Sequence, residues 1–346
     1  MMEIDGSYGE GGGQILRTAI ALSLITNQPV TVTRIRACRP NPGLRAQHVT
    51  AIRTLQSISN AEVDGVSVGS PQVSFHPGVI KGGSYIFDVG TAGSITLVFQ
   101  TLLLASLAAS QPLQLHVRGG TDVKWSPSWD YFANVFLPLV SHIGVKAEVN
   151  LNRRGFYPAG GGEAFITIHP VKKFLPFQVE GFQTYRTVEG NIAISKLPSH
   201  VSGRIKHAVV KFFLSHSTDV KISVERDDKS LSEGVVVTLW SHSGETVVGS
   251  TMLGEKGFPA ESLGKQCAAA LSQEMKAQVS LDVHATDQLL PYMAFVAAQH
   301  GKPSAFLTRE ISSHARTTMW LMEKFLPVKF KVGRVKNYEK VMVRSI

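Results

Sequence analysis

The sequence predicts an α/β (α+β) protein: a large domain of three repeated two-helix, four-strand units with a small inserted α/β domain. Three observations carry this. A cassette of Gly-rich or polar loop, apolar helix, Pro-containing break and short strand occurs three times. A second helical stretch and another strand follow each cassette. The third copy stands farther from the second than the second does from the first, by about the length of a small domain.

In the first copy a helix is expected over 14–26, then the break Asn27-Gln28-Pro29 and a strand over 30–33. The second copy has a helix over 94–109, the break Ser110-Gln111-Pro112 and a strand over 113–117. The third has a helix over 288–299, the break His300-Gly301-Lys302-Pro303 and a strand over 304–307. Each Pro stands where a helix must stop, because it cannot donate the next backbone hydrogen bond. The second helices fall at 44–58, 129–143 and 314–325, with strands at 61–63, 145–149 and 328–332. Two helices over one sheet is the layering this pattern implies. The extra length between copies two and three has its own pattern: strands at 191–195, 220–225 and 235–239, and helices at 201–214 and 259–276. Pro259 with Glu261 close behind marks a helix start. The large domain is therefore expected over 1–180 and 277–346, and the inserted domain over 181–276.

The chain has 346 residues, 43% of them hydrophobic, which allows a substantial core. Its longest apolar stretch, 95–109, is interrupted by Gln100 and is too short to cross a bilayer. Glu3 and Asp5 come at once, unlike the basic and apolar start of a signal peptide. Cys38 and Cys267 give no disulfide framework and no metal-ligand spacing. A cytoplasmic, reducing location without a membrane partner is expected. The net charge is +9, which favours a polyanion. Arg34, Arg36, Arg39 and Arg45 cluster without an intervening acid, and Arg suits bidentate phosphate contacts. A solvated basic face is the plain alternative.

The run Gly9-Glu10-Gly11-Gly12-Gly13-Gln14-Ile15-Leu16-Arg17 lets backbone amides approach an anion at a helix start. A carboxylate beside bound phosphate is repulsive unless a divalent cation bridges them. Glu10 therefore reads as a metal ligand and Arg17 as a phosphate contact; a tight turn before a buried helix is the alternative. There is no P-loop: Lys256 and its neighbours are misplaced after Gly249 and Gly254. There is no Lys-x-Asp-Gly run either. His314, just after Ser312 and Ser313, stands in a helix first turn, where the dipole favours a neutral imidazole able to attack phosphorus. Arg45-Ala46-Gln47-His48 occupies the matching helix start in the first unit. Gln100, lying within an apolar helix, and Asp287-Gln288, preceding one, would make core hydrogen bonds or recognise a nucleobase. Gly119-Gly120-Thr121-Asp122, followed by Trp125 and Pro127, could wall an adenine. Arg154-Gly155-Phe156-Tyr157-Pro158-Ala159-Gly160-Gly161-Gly162 is a second Gly-rich loop or a hairpin turn.

Together these runs, with Ser313-His314, resemble the RNA 3′-terminal phosphate cyclase family over nearly the whole chain. The resemblance implies an ATP-dependent enzyme that carries AMP on His314, transfers it to an RNA 3′-phosphate and closes a 2′,3′-cyclic phosphate. It implies Mg²⁺ or Mn²⁺ at Glu10. It places Arg17, Arg39, Gln47 and His48 around the triphosphate or the RNA phosphate, with Arg36 and Arg45 beside them. It places Gln100, Pro127, Asp287 and Gln288 around adenosine. His284 stands where the family pattern has Tyr; imidazole can stack on adenine as well.

Two rivals belong to other classes. A catalytically silent cyclase-like protein of ribosome assembly would bind RNA only; the presence of both Glu10 and His314 argues against it. A two-histidine phosphodiesterase is suggested by the His-x-Thr pairs at His48, His216 and His284, but three among twelve histidines is a chance level, and His48 reads as helical.

Overall fold

The structure, a computed structural model, describes residues 1–214 and 218–346. His216 lies outside the described residues.

The first unit runs β1 (Met2–Asp5), α1 (Gly13–Thr26), β2 (Val30–Thr33), α2 (Ala46–Ser59), β3 (Glu62–Asp64) and β4 (Val73–His76). The second runs β5 (Gly83–Asp88), α3 (Ile95–Ala105), β6 (Leu113–Gly119), α4 (Trp129–Tyr131), a π-helical turn Phe132–Phe136, α5 (Leu137–His142), β7 (Lys146–Arg153) and β8 (Gly162–His169). The third opens with β9 (Gln178–Val179). The chain then leaves it for β10 (Thr187–Ser195), α6 (Ser199–Leu214), β11 (Asp219–Arg226), β12 (Gly234–Ser243), β13 (Thr246–Leu253) and α7 (Ala260–Ala277). It returns as α8 (Val283–His300), β14 (Ser304–Thr308), α9 (Ser313–Phe325), β15 (Val328–Val335) and β16 (Tyr338–Ser345).

The repeat holds at the level of pairing. The sheets are ordered β1-β2-β4-β3, β5-β6-β8-β7 and β9-β14-β16-β15. In each, the first pair is parallel and the other two are antiparallel. A parallel pair needs a crossover connection. Helices α1 and α3 supply it in two units; in the third the crossover is α8 together with everything inserted before it. Helices α1, α3 and α8 bury most of their circumference in the common core, and α2 and α9 cover it with one face. The fourth sheet, β11-β10-β12-β13, packs on α6 and α7 around its own cluster, with Ile192, Ile205, Val237 and Leu271 fully buried.

Local chemistry explains the helix ends. Ser94, Asp282 and Ser312 cap α3, α8 and α9 by accepting from backbone N–H groups. Asn27, Asn60 and Gly301 follow helices in the left-handed conformation that ends them. Three details differ from the sequence expectation. Asp287 and Gln288 lie inside α8 rather than before it, because the helix starts at Val283 on the Asp282 cap rather than at 288. The stretch 129–143 contains the π-helical turn. Pro259 is the residue before α7 rather than part of its first turn, and β13 completes the fourth sheet.

Arg154 joins the second unit to the fourth sheet. Its side chain is 1% exposed and contacts Asp122 (3.2 Å), Asp130 (3.0 Å) and Glu225 (2.5 Å). Its backbone N–H donates to Asp227, and Asn191 donates to Asp130 and Glu225. The carboxylates hold the guanidinium charged despite burial. Removing one partner of such a cluster strands the others unpaired. Arg154→Met is therefore expected to lower unfolding stability by about 3–5 kcal/mol, measured as the shift of the denaturant midpoint.

Candidate active site

All the candidate residues lie at one pole. Each strand-to-helix connection of the three units ends there: residues 6–12 before α1, 34–45 before α2, 89–94 before α3, 120–128 before α4 and 309–312 before α9. In α/β sheets this end gathers helix N-termini, whose unpaired N–H groups favour anions.

The glycine-rich connection before α1 lies flat against its neighbours. A Cβ on Gly9 would stand 2.3 Å from Thr317 Oγ1 on α9, and one on Gly13 would stand 2.1 Å from His48 Nε2 on α2. Gly12 faces Arg39 and His314, and its side of α1 has no side-chain cap. Tyr8 stacks on Trp320 of α9, ring centroids 4.0 Å apart, and clamps the connection down. Glu10 is thereby set beside α9: its Oε2 is 2.9 Å from His314 Nε2 and 3.5 Å from Arg39.

Cations crowd this carboxylate. Arg36 is depressed from the usual guanidinium range by burial and by Arg45 and Arg39, so the three charges lie close together, with Glu10 beside Arg39. Arg36 also closes its own loop by donating to the carbonyls of Asn41 and Gly43. Arg34, by contrast, turns away to Asp5 (3.1 Å). Burial takes Arg17 down to about 10, opposed by Asp287, so it stays protonated at neutral pH. Burial, then Arg17, Arg36 and Arg45, push His48 well below its ordinary value. His48 Nδ1 accepts the Arg45 N–H (3.1 Å), which leaves the proton of the neutral ring on Nε2, facing Gly13. His314 is lowered first by burial; Arg39, Arg17 and His284 add to this and Glu10 opposes it. Its neutral ring donates Nε2–H to Glu10 and keeps a lone pair on the other nitrogen.

A second group lies between α3 and α8. Gln100 donates to Gln288 (2.6 Å), and Gln288 donates to the His284 carbonyl (2.9 Å). Thr96 donates to the Pro127 carbonyl (2.9 Å). Gln47 accepts the Ser94 N–H (3.2 Å), tying α2 to the start of α3. Gln14 links the two groups by donating to Asp287 (3.0 Å) and Thr318 (2.6 Å). The Gln14 carbonyl oxygen is buried without a partner.

The sequence model of the RNA 3′-terminal phosphate cyclase family matches residues 8–332. The chain belongs to the RNA 3′-terminal phosphate cyclase family. It is 42% identical to the RNA 3′-terminal phosphate cyclase of Nitrosospira multiformis, over 96% of this chain and 93% of that protein. It is 40% identical to the Methanopyrus kandleri protein of the same name and 42% identical to the Pyrococcus furiosus one, each over 96% of this chain and 95% of the relative. The match runs from the connection before α1 into β15, and so takes in every helix and the whole fourth sheet.

In this cyclase-family chain, Glu10, Arg17, Arg39, His48 and His314 come together around Gly12 and Gly13, with Arg36 and Arg45 behind His48. Gln100, His284 and Gln288 form the neighbouring group, and Pro127 is held over the start of α3. Asp122 is buried on Arg154 and on the Trp129 N–H, so it anchors its loop. The second Gly-rich run connects β7 to β8 as a hairpin. His48 and His284 both sit on helices, so neither His-x-Thr pair lies on a strand. Spacing did not reveal Tyr8, Gln14, Thr317 or Thr318, whose partners are far away in sequence. The aromatic and amide flanking the glycine run were the available signal.

Burial raises the Asp287 carboxyl to about 7, with Asp282 and Glu10 adding to the shift and Arg17 opposing it. The unfolded chain loses that proton near pH 4, whereas the folded one keeps it, so rising pH favours unfolding between about 4 and 7. Asp287→Asn is expected to flatten the fall of stability across that window, read from denaturation midpoints at several pH values.

Proposed function

We propose that the protein converts an RNA 3′-terminal phosphate to a 2′,3′-cyclic phosphate, using ATP and releasing AMP and diphosphate. One observation carries this reading: a histidine at a helix start touches the carboxylate of the glycine-rich connection, amid guanidinium groups that outnumber the nearby acids.

A ring nitrogen of His314 attacks the ATP α-phosphorus, and diphosphate leaves with the P–O bonding pair. The proton of the resulting imidazolium goes to solvent. Arg17, Arg39 and the His48 Nε2–H supply donors where negative charge gathers. The RNA 3′-phosphate oxygen then attacks the same phosphorus; the N–P bond breaks as a proton returns from solvent to the departing ring, and an RNA–adenylate anhydride forms. The vicinal 2′-oxygen attacks the activated phosphate, its proton leaves, and AMP departs. Adenylation matters because a phosphate monoester lacks a good leaving group, whereas the 2′-hydroxyl is held at an effective molarity on the order of 10⁵ M or more. Gln100, Gln288, His284, Asp287 and Pro127 are assigned to adenosine, Gln47 to the α2–α3 seam of the nucleotide site, and Arg36 and Arg45 to the RNA phosphate.

Among the described residues no cluster of three metal-ligating side chains exists. That donor set fits Mg²⁺ or Mn²⁺ held by Glu10 together with substrate phosphates, the usual way such ions bind nucleotides. When bound, the ion would neutralise phosphate charge beside Glu10. Residues 181–276 are read as the small inserted domain and 1–180 with 277–346 as the catalytic body. No described helix is long and apolar enough to cross a membrane. Cys38 and Cys267 are unpaired, which suits a reducing cytoplasm.

ATP labelled at the α-phosphate is expected to leave an acid-labile, alkali-stable AMP on the protein, and His314→Ala to abolish it. Absence of the adduct in the intact protein, with RNA binding retained, would establish a silent binding protein instead. Glu10→Ala is expected to slow adduct formation about a hundredfold, measured by single-turnover labelling.

A further inference from the structure

Two aromatic side chains stand in solvent at the edge of the catalytic pole with no packing role. Trp125 is 96% exposed and Tyr157 is 77% exposed. Trp125 also has a left-handed backbone, φ 66°. For a bulky residue that conformation is strained, and burial of the ring returns nothing here.

The two rings leave from paired chain segments. Asp122 and Phe156 form a parallel bridge, and the Thr121 N–H donates to the Gly155 carbonyl. Tyr157 and Trp125 follow those residues in the same direction. The loop carrying Tyr157 continues along a strip of positive charge and exposed apolar surface. Arg153 donates to the Gly161 carbonyl (2.6 Å) and pairs with no carboxylate among the described residues. Gly161 lies against Leu231, which is 55% exposed, and Lys196 donates to the Leu231 carbonyl (3.2 Å). The same loop reaches the active site from its other side: Gly160 lies against Thr91 and Ala92, and Ser94 a little farther on donates to Gln47, next to His48.

We propose that Trp125 and Tyr157, with Arg153 and Lys196, form a binding strip for the nucleotides upstream of the RNA 3′ end, across the seam between the body and the inserted segment. This rests on the function proposed above. Flat exposed aromatics beside cations match single-stranded nucleic acid: bases stack in a sequence-tolerant way, and phosphates meet the charges. A terminal phosphate held near His48 sends the preceding nucleotides outward over this loop.

The test compares RNAs ending in a 3′-phosphate, one a dinucleotide and one about ten nucleotides long. The intact protein is expected to prefer the longer RNA. Trp125→Ala and Tyr157→Ala are each expected to raise KM for the longer RNA about tenfold, as loss of one stacked base implies, with little change for the dinucleotide. Trp125→Phe and Tyr157→Phe are expected to restore it. The strip is refuted by an unchanged KM, by an equal rise for both RNAs, or by absence of a length preference in the intact protein. It is also refuted if the Ala variants instead weaken ATP-dependent adduct formation, which would assign the rings to adenine. Should the intact protein form no adduct at all, the function proposed above fails separately. Fluorescence anisotropy of the labelled longer RNA then decides the strip alone: a Kd unchanged by Tyr157→Ala overturns it.

Discussion

The backbone of residues 9–13 lies so close to α2 and α9 that no side chain fits between them, and the active pole depends on that approach. A side chain at Gly13 would take the space of His48, and one at Gly9 that of Thr317. With the glycines in place, Glu10 reaches His314 while the α1 amide groups stay open. The Tyr8–Trp320 stack and the Gln14 bonds to Asp287 and Thr318 keep the connection from lifting. Packing between the first and third units therefore sets the position of one carboxylate.

The electrostatics follow from what is absent near those helix starts. Arg17, Arg36, Arg39 and Arg45 face Glu10 and a partly neutralised Asp287, so positive charge exceeds negative. Burial first, and that excess with it, lowers the affinity of His48 and His314 for protons. A neutral ring is a donor at one nitrogen and a nucleophile at the other. Clustered cations of this kind are relieved by an anion, and phosphate is the anion that guanidinium groups pair with in bidentate fashion.

Much of the architecture was legible because it is periodic. Pro29, Pro112 and Pro303 each mark a helix exit, and their unequal spacing reveals the inserted segment. Pro291, by contrast, lies within α8, where neighbouring packing outweighs one lost hydrogen bond. Local pattern singled out Glu10 among glycines and His314 after two serines, and the structure brings these two side chains into contact. Arg154 was not, because its partners Asp122, Asp130 and Glu225 come from three distant segments whose meeting depends on the fold. Nor does spacing announce that Gln100 and Gln288 face each other across α3 and α8.

The place where β9 and β14 meet has a consequence for how the chain matures. These neighbours in one sheet are separated in sequence by the whole of β10 to α8. Joining them closes a very long loop, and the entropy of closure grows only slowly with length, so the equilibrium cost is modest. Contacts so remote in sequence nevertheless form slowly. The first two units can assemble from local pairings, whereas the third must wait until the intervening segment has brought its own ends together. The helix bearing His314 belongs to that last unit, so competence for chemistry would be acquired late, after most of the hydrophobic core has already closed.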